Sequence, residues 1–140
     1  MPAINKTSML RGIAALLALF TAAVHTFVGG RDSLIPLLEA DIDPMAEGAL
    51  HASWHIVAIF LAWSSVAFWK GGVVGRHFAG LWIASALAFV GVDLWQAGLT
   101  GLFLNPQWAV LAPVGLLAIY GAGPLASRDN ESEAASREIE

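Results

Sequence analysis

The sequence predicts an all-α fold, an integral membrane four-helix bundle with both termini cytoplasmic, and three observations predict it. Only 13% of the 140 residues are charged while 57% are hydrophobic; an ordinary soluble domain carries about 25% charged residues. The charges are also clumped, so that residues 12–30, 48–69, 77–92 and 94–127 contain no Asp, Glu, Lys or Arg. Finally, threading four spans puts Lys6, Arg11, Lys70, Arg76, Arg128 and Arg137 on one side and Arg31 alone on the other. Basic residues collect on the cytoplasmic side, which puts the N- and C-termini inside; the expected location is the inner (plasma) membrane.

A hydrocarbon core of about 30 Å needs roughly 20 apolar residues per helix. The expected spans are therefore about 12–30, 49–69, 77–99 and 107–125. They form one domain over residues 1–126, followed by a disordered acidic cytoplasmic tail over 127–140. The first span follows Lys6 and Arg11. Its apolar stretch outruns the core of a signal peptide, and no small-x-small cleavage site precedes a soluble domain, so it is read as retained. Gly29-Gly30 is the expected stop. The loop 31–48 then carries five acids and Arg31 around an apolar "LIPLL" interrupted by Pro36. Asp43-Pro44 is a good helix start, because the carboxylate accepts orphan N–H bonds and proline has none to lose.

"KGGVVGR", residues 70–76, reads as a tight basic turn before the third span. That span ends in "TGLFLNPQ", and the fourth carries Pro113, which neighbouring helices tolerate in a membrane. Two small-residue stripes are expected to seat helices against each other: Ala14, Ala18 and Ala22 on the first span, and Gly80, Ala84 and Ala88 on the third. Trp54, Trp69, Trp95 and Trp108 fall near span ends, where interfacial aromatics belong.

Composition excludes several chemistries. There is no cysteine, hence no disulfide and no thiolate metal site. The net charge is −4 and no basic stripe runs along a helix face, which argues against nucleic acid. The expected partners are the lipid bilayer and either a second copy of the chain or a larger membrane complex.

Four polar residues interrupt the spans at one expected level near the outer face: His25, His51, His55 and Asp93. His51 and His55 are four apart and share a helix face, continued by Ala58, Ala62 and Ser65 and expected to point inward. Asp93 shares its face with Ala86 and Ala79, with Trp82 and Phe89 alongside. Imidazole and carboxylate together suit a transition metal such as zinc, copper, iron or nickel. Two imidazoles facing each other across the bundle suit one b-type haem. A histidine–aspartate set also suits proton handling or a quinone head, since an intramembrane acid usually marks a pathway or a paired partner. The glutamate of the zinc-protease helix is missing, as Ala52 follows His51, and no catalytic residue is assigned. The rival expectation is a structural or assembly subunit, or one half of a homo-oligomeric transporter, with these residues serving assembly only. His77, beside Arg76 at the opposite end, is read as interfacial.

Overall fold

The computed structural model describes residues 5–123, and all regular structure among them is helical. The chain runs through α1 (Lys6–Ala23), a π-helical segment (Val24–Leu34), α2 (Ile35–Leu38), α3 (Pro44–Lys70), α4 (Gly72–Leu104) and α5 (Trp108–Gly121). The four longer α-helices close a ring in which α1 touches α3 and α5, and α4 touches α3 and α5. Three apolar helical stretches are long enough to cross a membrane: Lys6–Leu38, Pro44–Lys70 and Gly72–Leu104. The expected fourth span is represented by α5, an apolar helix of 14 residues, about 21 Å long. The expected tail lies outside the described residues.

Local chemistry sets most of the boundaries. Asn5 caps α1 by accepting from the Thr7 N–H. Asp43 caps α3, its Oδ1 accepting from Met45 N at 3.0 Å and Ala46 N at 3.2 Å, with Pro44 at the first helical position as expected. Gly71, at φ 68° and ψ −148°, ends α3 in a backbone region open essentially to glycine alone. The break is a single residue. Gly72 already begins α4, so "GVVGR" is helical and the expected seven-residue turn is not formed.

Gly29-Gly30 does not stop the first helix. The chain widens instead into the π-helical segment and stays helical to Leu38. At Gly29 the segment meets Trp54 of α3, where an added Cβ would stand 3.0 Å from the indole. Gly29 is used for close approach, not for termination. The third expected span also ends early, since Ala97 (φ −141°) and Gly98 (φ 59°, ψ −148°) break α4. Residues 99–104 then fold back toward Asp93.

The core sets small residues of α1 against Trp82 of α4, Leu61 and Phe68 of α3, and Leu111 and Val114 of α5. Ala14, Ala18 and Ala22 are buried, as the first stripe predicts. The second stripe is not used: Gly80, Ala84 and Ala88 are exposed, and α4 buries Ala79, Trp82, Ala86 and Asp93 instead. A row of alanines seats a helix only if a neighbour stands over it, and both neighbours of α4 stand over Trp82. On α3 the buried row is Leu61, Ser64, Ala67 and Phe68. The expected inward face therefore misses: Ala62 is exposed and Ala58 and Ser65 are half-buried.

Two contacts tie α4 to its neighbours. The Trp82 Nε1–H donates to Ser64 Oγ at 2.8 Å, and the Ser64 hydroxyl donates to the Phe60 carbonyl at 2.7 Å. Gly115 of α5 lies over α4 so closely that a Cβ there would be 3.1 Å from the Ala79 carbonyl oxygen.

Candidate functional site

The two ends of the bundle differ in chemistry. At one end Arg11 Nη1 donates to the Lys70 carbonyl at 3.3 Å, and Gly121 lies against the Arg11 backbone. Gly72 N donates to Ala122 O at 3.2 Å, closing α4 onto the end of α5. His25 and His55 lie some 14 or 15 residues along their helices from this end, about 20 Å. His51 and Asp93 lie farther still. The four expected polar residues thus share the half of the bundle remote from Arg11.

Within that half they form separate groups. His25 stacks on Trp54, with ring centroids 4.1 Å apart and planes inclined by 19°. Its Nε2 is 3.1 Å from the Trp54 carbonyl oxygen, an acceptor, so Nε2 carries a hydrogen and donates. Trp54 is thereby held between the His25 ring and the Gly29 backbone, which locks the π-helical segment to the first turns of α3.

His51 and His55 form the second group. Their Nε2 atoms are 3.1 Å apart, so one ring donates and the other accepts. His55 is exposed and His51 half-buried, which leaves the pair open to solutes.

Asp93 stands in the third group, buried at 4% exposure. Its Oδ1 accepts from Asn105 Nδ2 at 3.2 Å, while Oδ2 is buried with no hydrogen-bond partner. The break at Ala97-Gly98 creates this environment. It turns residues 99–104 back so that Gly101 lies against the Asp93 carbonyl, leaving no room for a side chain, and delivers Asn105 to the carboxyl group. The Trp108 Nε1–H donates to the Leu102 carbonyl at 3.0 Å, holding the fold-back from the α5 side.

The four-residue metal group expected from the sequence does not assemble. Among the described residues no three His, Asp or Glu side chains come together to hold a metal ion. His25 is occupied by Trp54, and Asp93 by Asn105. His25 donates from Nε2 to the Trp54 carbonyl, and His51 and His55 lie on one face of one helix. Arg31 pairs with Asp32 at 3.9 Å, not with Asp93.

Sequence reasoning missed Asn105, Ser64 and Gly101. Asn105-Pro106 reads as turn chemistry, and an Asn twelve residues beyond the acid of an apolar helix is the available signal. Comparisons with protein families, curated proteins and solved structures return no match for this chain.

Proposed function

We propose that the chain is a multi-spanning plasma-membrane protein, with both termini and the Arg11 end in the cytoplasm, that takes up and releases a proton at the Asp93 carboxyl group. One observation carries the reading: Asp93 Oδ2 is a buried side-chain oxygen without a partner inside an apolar helix, beside a break in that helix. An acid at such depth is costly and is usually retained for a function. Broken membrane helices also leave backbone carbonyls without helical partners, and these favour cations and protons. Asn105 orients the carboxyl group by donating to Oδ1, which leaves Oδ2 as the atom that exchanges the proton.

The test is proton flux into proteoliposomes carrying a trapped pH-sensitive dye. Wild-type protein is expected to dissipate an imposed pH gradient, and Asp93→Asn to fall to the level of protein-free vesicles. Wild-type flux in Asp93→Asn would overturn the assignment, and so would a wild-type protein indistinguishable from empty vesicles.

A second reading rests on the His51–His55 spacing. Two nitrogens each about 2.05 Å from one metal, at angles between tetrahedral and octahedral, stand roughly 2.9–3.3 Å apart. The observed 3.1 Å between Nε2 atoms fits a two-imidazole chelate, completed by water or by groups of a partner. Calorimetric titration with Zn²⁺ or Ni²⁺ is expected to show one site per chain, lost in both His51→Ala and His55→Ala and kept in His25→Ala. Equal binding by all three variants would exclude the chelate.

A further inference from the structure

The Arg11 end carries a feature that proton exchange at Asp93 does not use. A small polar pocket of about 150 Å³ is lined by Ser8, Arg11 and Trp69. A larger apolar groove of about 280 Å³ lies between α1 and α3, lined by Ala15, Leu16, Leu19, Ser65, Val66 and Trp69. Trp69 belongs to both. We infer that these two pockets, which meet at Trp69, together hold an anionic phospholipid, its phosphate at Arg11 and Ser8 and one acyl chain lying in the apolar groove.

Three observations select that occupant. The first is charge. Lys6, Arg11, Lys70 and Arg76 gather at this end, and among the described residues the one ion pair is Arg31–Asp32, so none of the four has a carboxylate partner there. Basic pockets between helices at the cytoplasmic face recruit anionic head groups. The second is length. Ser8 to Leu19 spans eleven residues of α1, about 16 Å, which matches one leaflet of a hydrocarbon core about 30 Å thick. A head group at Ser8 therefore sends its chain to the bilayer midplane at the far end of the groove. The third is the order of polarity along the cleft. The wall changes from hydroxyl and guanidinium to methyl and methylene groups, with an exposed interfacial tryptophan at the boundary, as an amphiphile requires.

Arg11 is also preset for this role. Its Nη1 is tied to the Lys70 carbonyl, its stem lies against Gly71 and its Nε is buried. The side chain thus loses little freedom when a phosphate binds, which favours a specific site over diffuse attraction.

The inference rests on the membrane-spanning reading, and the experiment separates the two. Membranes containing the full chain are first washed with alkaline carbonate: protein released to the supernatant would sink the membrane reading itself. Retained protein is then purified in dodecyl maltoside with equal phosphatidylglycerol and phosphatidylcholine, and bound lipid is counted by native mass spectrometry. Phosphatidylglycerol is expected to be retained about fivefold over phosphatidylcholine. Arg11→Gln should remove that preference, and Ser65→Phe, which fills the groove, should reduce retention of both lipids. Arg31→Gln, at the other end, should change nothing. Equal retention of the two lipids by wild-type protein overturns the inference without any variant. Arg31→Gln acting as strongly as Arg11→Gln overturns it too, since only overall charge would then matter.

Discussion

Gly101→Ala is expected to destabilise the protein by about 3 kcal/mol, near the upper end of overpacking costs. A Cβ at this position would stand 2.8 Å from the Asp93 carbonyl carbon and closer still to its oxygen. Both are backbone atoms of the same helix, so no side-chain rotation relieves the clash. The fold-back must open, and opening it withdraws Asn105 from Asp93. The variant should therefore lose the proton flux proposed for Asp93 as well as stability. Unfolding in mixed dodecyl maltoside–SDS micelles, followed by pulse proteolysis, measures the first effect. Gly91→Ala is the matched control: nothing lies within 4 Å of its added Cβ, and in a helix interior alanine is favoured over glycine by up to about 1 kcal/mol. A Gly101→Ala protein as stable as Gly91→Ala would mean that residues 99–104 do not lie against Asp93.

Trp82→Ala is expected to cost about 3–5 kcal/mol, the range for truncating a fully buried large aromatic side chain. Trp82 is completely buried, meets the Phe68 ring edge-on at a centroid distance of 5.5 Å, and donates to Ser64. The loss includes the dispersion contacts around the cavity left behind. Trp82→Phe separates the contributions. It keeps most of the volume and removes the N–H, while the Ser64 hydroxyl keeps its bond to the Phe60 carbonyl. Its cost should be about 1 kcal/mol, in line with the net worth of one hydrogen bond. Ser64→Ala leaves the Trp82 N–H without an acceptor and should cost a similar amount. If Trp82→Phe were as damaging as Trp82→Ala, the hydrogen bond and not the ring volume would hold α3 to α4.

These two sites mark where the sequence was legible and where it was not. Asp93, Ala86, Ala79 and Trp82 could be grouped on one face from helical spacing alone, and that face is buried. Ala14, Ala18 and Ala22 were equally readable. The rival stripe Gly80-Ala84-Ala88 has the same period and better small residues, yet it is exposed. Periodicity names the faces of a helix but not the side on which its neighbours stand. On α3 the same ambiguity amounted to one residue: Ser64 is the buried hydroxyl, Ser65 its half-buried neighbour.

The candidate site divides in the same way. That His25, His51, His55 and Asp93 lie in one half of the bundle follows from counting residues along alternating helices. Whether they meet depends on contacts between residues far apart in the chain. Trp54 captures His25 through its ring and its carbonyl, and Asn105 reaches Asp93 only because Gly98 admits a positive φ and Gly101 has no side chain.

Composition and charge placement thus determined an all-helical chain with apolar helices of membrane-spanning length, because every buried backbone polar group must be satisfied within its own segment and helices do this locally. Helix starts at Asp43-Pro44 and the chain reversal at Gly71 were equally local. Helix rotation, the break in α4 and the pairing of polar side chains were decided by tertiary structure. These depend on which side chain fills which gap across a helix interface, and that geometry has no counterpart in the order of residues along a single strand of chain.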